Sequence, residues 1–184
     1  MRKVDTKKIY DIQQAVYSLV AEEGLINLSM SKISKRANVS PATIYIYYAD
    51  KKELLSQIYI SVKDLLDDGL DQALQEANNL PDKFKIGLLH FSKCFQQYPK
   101  QMTFMWALLN NSQELTEKAK NYEIQRSAWI LNLIDEAIEK KMLISDDPLI
   151  MQALTYGTLT SYLQNGGHDV EQIVDLIVKK IFNA

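Results

Sequence analysis

Apolar residues recur at helical spacing along almost the whole chain, and nowhere does apolar–polar alternation persist. Ile9, Ile12, Val16, Leu19 and Val20 fall at i, i+3, i+7, i+10 and i+11, one stripe of a helix that Gly24 stops. A second pattern opens at Asp50, a good N-cap, and carries Leu54, Leu55, Ile58, Val62, Leu65 and Leu66 towards Asn78. Pro81 and Pro99 punctuate the next stretch of chain, predicting helices over 82–98 and 100–110. Further amphipathic stretches run over 113–142, over 148–165 from an Asp147 cap, and over 169–182. Strand candidates rich in Val, Ile and Thr between turns are absent. The pattern predicts an all-α fold of about nine helices, divided at the long helix into residues 1–50 and 51–184.

Composition narrows the chemistry. At 184 residues and 47% hydrophobic content, folding should bury roughly 70% of the unfolded surface, so no disulfide or structural metal is needed. A single cysteine, Cys94, rules out an internal disulfide, and two histidines, His90 and His168, are a poor metal inventory. No metal or cofactor is expected, and Cys94 reads as a small buried hydrophobe. No strictly apolar run exceeds six residues, against the ~20 of a spanning helix. The basic start, Met1 to Lys8, lacks a following signal-peptide apolar region. The reading is a soluble, cytoplasmic protein with no membrane partner.

The net charge of −2 discourages a polyanionic partner until it is divided along the chain. Residues 1–63 hold ten Lys or Arg against six Asp or Glu, giving +4; residues 64–184 hold eleven against seventeen, giving −6. The basic part suits a polyanion such as DNA.

That part contains SMSKISKRANVSPATIYIYYADKKELL, Ser29 to Leu55. Ser29 caps a short helix whose inward residues are Met30, Ile33 and Ala37, the last small enough for close helix packing. Asn38 stands where the chain turns sharply, since Asn tolerates the left-handed conformation, and Val39 plugs the turn. Ser40 followed by Pro41 starts a second helix over about 41–48. Two short helices joined by such a turn make a helix-turn-helix. In the second helix Ile44 and Tyr48 face the core, leaving Ala42, Thr43, Tyr45, Ile46 and Tyr47 largely outward. Flanked by Lys32, Lys35, Arg36, Lys51 and Lys52, this face suits a major groove. Ala and Thr can touch a thymine methyl, Thr and Ser can bond base edges, and Tyr and Lys can reach phosphates.

The stretch resembles the DNA-binding domain of TetR-family transcriptional repressors. The match runs from about Thr6 to Ile58 and is carried by Gly24, Ser29, Ile33, Ala37, Val39, Ser40, Thr43, Tyr45, Tyr48, Lys51, Glu53 and Leu54. Asn38 stands in place of the usual turn glycine, Asp50 in place of a common serine, and Ile46 where the family often has a polar or basic residue. The resemblance implies a three-helix DNA-binding domain joined through a long helix to a helical ligand-binding and dimerisation domain. Ser29, Ser31 and Lys32 would meet DNA near the first helix of the motif. Ser40, Pro41, Ala42 and Thr43 would lie at the groove, with Tyr45, Tyr47 and Lys51 holding the backbone.

Specific recognition by one half-site is weak, so pairing of two chains is expected. The stripes Leu149, Ala153, Gly157, Thr160 and Ile173, Leu176, Ile177 on the last two predicted helices supply a seam. The resemblance implies that these helices pair with their twins as a four-helix bundle. The aromatic-rich middle offers Phe91, Phe95, Met102, Met105, Trp106, Tyr122 and Tyr156 for a mostly apolar effector cavity.

An enzyme is not expected: the chain has no G-x-S-x-G elbow, P-loop, G-x-G-x-x-G or H-E-x-x-H. A nucleophile–base pair would have to be Cys94 with His90, four apart on a helix. The reading is therefore a DNA-binding regulator, a repressor that binds a palindromic operator as a homodimer and is released by a small effector. The alternative is a helical ligand-binding or scaffold protein without DNA activity.

Overall fold

In the computed structural model, which describes residues 5–183, helices begin where short polar side chains can cap them. Ser29, Ser40, Asp147 and Asp169 each accept from a backbone N–H two or three residues on. The chain order is α1 (Thr6–Glu23), a 3₁₀ turn (Leu25–Asn27), α2 (Met30–Arg36), α3 (Pro41–Tyr47) and α4 (Lys51–Asp67). Then come α5 (Leu70–Gln75), α6 (Leu80–Gln97), α7 (Pro99–Leu109), a 3₁₀ turn (Ser112–Glu114) and α8 (Glu117–Glu139). The chain closes with α9 (Pro148–Gln152), a π-helical turn (Ala153–Gly157), α10 (Thr158–Gln164) and α11 (Val170–Ile181). The all-α expectation holds. The 148–165 prediction becomes α9, the π turn and α10 in unbroken succession, so the described residues form ten helical rods.

One helix is shorter than its pattern. Apolar spacing continues from Leu66 to Leu70 and Leu74, yet α4 ends at Asp67 and Gly69 sits at φ +77°, the left-handed region that L side chains resist. The pattern towards Asn78 is therefore two helices. The 113–142 stretch similarly divides into the 3₁₀ turn and α8, which ends at Glu139, two residues before Lys141 at φ +54°.

The chain packs as two compact units. The first takes residues up to Leu65 together with Tyr98–Ile124; the second takes Leu66–Gln97 and the residues from Gln125 on. These packing units cut the chain differently from the division at residue 50 expected from the long helix.

In the first unit α1 packs against α7 and α2, and α2 against α3. Ile12, Ile33, Ile44, Leu54, Leu55 and Ile58 are wholly buried there, and Tyr17 meets Phe104 edge-on at 5.5 Å between ring centres. In the second unit α6 packs against α11, α5 and α10. Its core holds Phe84, Leu88, Ala137, Met151, Leu159 and Val174.

The π turn widens the helix by one residue, and threonines take up the backbone groups it disturbs. The Thr155 hydroxyl donates to the Met151 carbonyl at 2.7 Å, and Thr158 to that of Ala153 at 3.2 Å. Gly87 on α6 lets this turn come close. A Cβ there would lie 2.9 Å from Trp129 Cη2 and 3.1 Å from the Tyr156 hydroxyl. Gly87→Ala should therefore destabilise by about 1–3 kcal/mol, the usual effect of overpacking, visible as a lower denaturation midpoint. An unchanged midpoint would show that Trp129 yields freely.

Candidate nucleic-acid interface

The helix-turn-helix is built from local contacts. Ser29 Oγ accepts from the Lys32 N–H at 3.3 Å and opens α2. Ile33 and Ala37 turn inward, 0% and 8% exposed. Asn38 then takes φ +53°. Its N–H donates to the Lys35 carbonyl at 3.3 Å, while Val39 N–H donates to that of Ser34 at 3.0 Å. This is a Schellman stop with asparagine in the usual glycine place. Ser40 Oγ accepts from the Thr43 N–H at 3.1 Å and shares a 2.9 Å hydrogen bond with the Thr43 hydroxyl. Asp50 Oδ1 accepts from the Glu53 N–H at 2.8 Å, and the Glu53 carboxylate accepts from the Ala49 N–H, so α4 begins at a reciprocal cap.

These caps set which side of α3 looks out. Ile44 and Tyr48 are 0% and 3% exposed, whereas Tyr45 and Ile46 are each 54% exposed. Pro41 and Ala42 are exposed, and Thr43 and Tyr47 half-buried. Burial first, and then the charge of Glu53, push the Tyr48 hydroxyl above its ordinary titration range, which marks it as a core group. Burial likewise pushes Tyr17 up to about 12. Ile44 and Tyr48 inward and Ala42, Tyr45 and Ile46 outward agree with the observed burial, whereas Thr43 and Tyr47, expected outward, are half-buried.

Electrostatics modify the sequence reading. Lys32 pairs with Glu23 at 2.6 Å, and Arg36 makes a two-pronged pair with Glu22 at 3.0 and 2.8 Å. Lys51 pairs with Glu114 at 3.1 Å. Exposed Lys35 and Lys52 make no ion pair among the described residues. Much of the positive charge counted along residues 1–63 is therefore met within the protein, and Arg2 and Lys3 lie outside the described residues. Ser31 is exposed beside Lys32 on the first turn of α2.

The residues expected around an effector fall into both units. Met102 and Met105 are buried in the first unit, where Trp106 is half-buried and the Tyr122 hydroxyl donates to Asp64. Phe91, Phe95 and Tyr156 belong to the second. Phe91 meets Tyr156 edge-on at 5.3 Å and Phe95 at 6.4 Å. Burial, and then the charge of Asp67, hold the Tyr156 phenol well above its usual range, so it stays neutral. Gly87, which admits that hydroxyl, escaped sequence reasoning because its role depends on a helix far along the chain.

Of the residues expected at a dimer seam, Leu149 is 74% and Leu176 50% exposed, and Ala153 and Gly157 are exposed too. Thr160 and Ile173 are half-buried. Ile177 is corrected to the core of the second unit: it is 5% exposed, because it lies on the face of α11 that holds Val174 and Ile181. Ile150 and Leu154, 47% and 38% exposed, join the outward apolar set.

His90 and Cys94 do meet, Sγ lying 3.6 Å from Nε2. Both, however, are aimed at the Leu66 carbonyl, His90 Nε2 at 2.6 Å and Cys94 Sγ at 3.3 Å. A ring nitrogen that donates to this carbonyl has no lone pair to accept the thiol proton, so the pair is structural. Among the described residues no cluster of His, Cys, Asp and Glu could hold a metal ion. No described helix is long and apolar enough to cross a membrane.

Residues 13–58 match the family model for bacterial regulatory proteins of the tetR family. A helix-turn-helix-type transcriptional regulator of Haemophilus influenzae is 31% identical over 123 residues, covering 67% of this chain and 58% of that protein. The chain thus spans under two thirds of that relative's length. A fatty acid metabolism regulator protein of Bacillus subtilis is 22% identical over 191 residues, covering 96% of each. The crystal structure of a TetR family transcription regulator from Marinobacter aquaeolei superimposes with a TM-score of 0.81 over 100% of both chains, at 22% identity.

Proposed function

The chain belongs to the tetR family of bacterial regulatory proteins, and we propose that it is a transcriptional repressor acting in the cytoplasm. In this reading it binds a palindromic operator as a homodimer and is released by a small-molecule effector. The observation that carries the reading is α3, a helix that buries Ile44 and Tyr48 and leaves Ala42, Tyr45 and Ile46 outward. An exposed apolar and aromatic face on a short capped helix has little to gain from water. The major groove offers it thymine methyls, base edges and flanking phosphates.

Ser29, Ser31, Lys32, Tyr45, Tyr47 and Lys51 are assigned to the DNA backbone. Ser40, Pro41, Ala42 and Thr43 are assigned to the groove. The Ser40 hydroxyl already caps α3, so its main contribution is to aim the helix. Lys51→Ala should weaken binding to all duplexes and flatten the salt dependence by about one unit per protomer, the signature of a phosphate contact. Thr43→Ala should instead relax preference at one base pair. Equal losses at every sequence for Thr43→Ala, or an unchanged salt slope for Lys51→Ala, would reverse these roles in a binding titration.

Two-fold pairing is assigned to the outward residues Leu149, Ala153, Gly157 and Leu176, with half-buried Thr160 and Ile173 at their edges. The effector is assigned to Phe91, Phe95 and Tyr156, which meet within the second unit; Met102, Met105, Trp106 and Tyr122 are a separate candidate set within the first. Its action is a population shift: a ligand that prefers one arrangement of the dimer draws the protein away from the arrangement that fits DNA.

Selection of bound duplexes from a random-sequence pool tests the reading as a whole. A palindromic consensus is expected. No enrichment at low salt would leave a helical ligand-binding or scaffold protein without DNA activity.

A further inference from the structure

We propose that Glu114 is a positioning residue for DNA binding: its carboxylate holds Lys51, at the start of α4, in an ion pair that a DNA phosphate must displace. The proposal rests on the DNA-binding reading above. Lys51 Nζ lies 3.1 Å from Glu114 Oε2, and the two side chains are 31% and 34% exposed. They are therefore neither freely solvated nor locked away, and a phosphate can compete for the lysine.

Glu114 is held in place by the segment that carries it. Its N–H donates to the Asn111 carbonyl at 2.9 Å, closing the 3₁₀ turn. The next residue, Leu115, is 2% exposed. The N–H of Thr116 then donates at 2.8 Å to the hydroxyl of Ser56, a buried residue of α4. Segment 112–116 is thus fastened to the same helix that Lys51 begins, and the carboxylate is delivered to that lysine by a fixed backbone. The neighbouring Lys52 is exposed and makes no ion pair among the described residues, so the acid meets the first lysine of α4 and not the second.

A lysine in an ion pair presents a reduced charge to a phosphate. When Lys51 turns to DNA, the Glu114 carboxylate is left beside a polyanion and must be neutralised by a cation from solution. Both effects weaken binding, and the recapture of a cation offsets part of the counterion release that steepens salt dependence. Glu114 therefore lowers DNA affinity through Lys51. Any rearrangement that lifts 112–116 from α4 would raise it.

The test is a double-mutant cycle on the full chain, titrating a selected duplex and a random-sequence duplex between about 50 and 200 mM salt. Glu114→Gln removes the charge while keeping the shape. It should tighten binding by about two- to five-fold per protomer, the scale of a partly exposed ion pair, and steepen the salt slope. In a Lys51→Ala background the same substitution should give a clearly smaller gain, the part due to the carboxylate's own repulsion of the phosphates, and the difference between the two gains is the part that acts through Lys51. An unchanged affinity for Glu114→Gln overturns the proposal. So does an equal gain with and without Lys51, which would mark a general field effect. Either result leaves DNA binding standing if the unaltered protein binds; failure of the unaltered protein to bind any duplex at low salt removes both. Matching denaturation midpoints show that all variants are folded.

Discussion

Phe84→Ala is expected to lower the thermal midpoint by on the order of 10 °C. Phe84 is 2% exposed on α6 and meets Phe182, beyond the end of α11, with ring planes at 90° and centres 5.3 Å apart. Removing a buried phenyl ring costs about 3–5 kcal/mol in lost transfer energy and an unfilled cavity. In a chain of this size each kcal/mol shifts the midpoint by about 2–4 °C. The same cut at Phe91, which is only half-buried, should have a smaller effect. Circular dichroism during heating checks both. A shift below about 2 °C at Phe84 would mean that the packing of α6 against α11 does not carry the second unit's stability.

The second large effect is expected at the outward apolar residues of the closing helices. Leu149 and Leu154, 74% and 38% exposed, lie on the unbroken run of α9, the π turn and α10, and Leu176, 50% exposed, on α11. Leu149→Lys combined with Leu154→Lys places like charges on a proposed two-fold interface, where the same patch of both copies meets. The variant should run as a monomer at micromolar concentration. It should also lose about 10²–10⁴-fold in operator affinity, since one half-site then binds without the second. Stability of the monomer fold should be little affected, because neither side chain fills its core. Sedimentation and DNA titration together decide the matter: an undisturbed dimer moves the interface elsewhere, and an unaltered protein that is itself monomeric removes it.

What was legible along the chain depended on short range. The caps at Ser29, Ser40, Asp50 and Asp147 act on N–H groups two or three residues away, so a sequence window contains the whole interaction. The left-handed Asn38 and the inward Ile44 and Tyr48 follow from the same few residues. That is why the helix-turn-helix and its outward face emerged with their boundaries nearly intact. The break at Gly69 was hidden because the leucine spacing runs on through it, while one residue at positive φ suffices to end a helix. Ile177 was misplaced for a related reason: periodicity assigns residues to a stripe, and only packing shows which edge of the stripe is covered.

The charge count shows the same division. The sequence alone determined that the first 63 residues carry an excess of four positive charges and place several lysines beside a helix-turn-helix. Which of those lysines remain available was decided by tertiary structure. Glu23 reaches Lys32 from nine residues away, Glu22 reaches Arg36 across fourteen, and Glu114 reaches Lys51 from the far side of α7 in chain order. Helix identity and facing are set by neighbours within one or two turns, which any sequence window holds. The pairing of distant charges, and the gap at Gly87 that Trp129 and Tyr156 approach, exist only once the folded chain has brought remote segments within a few ångströms.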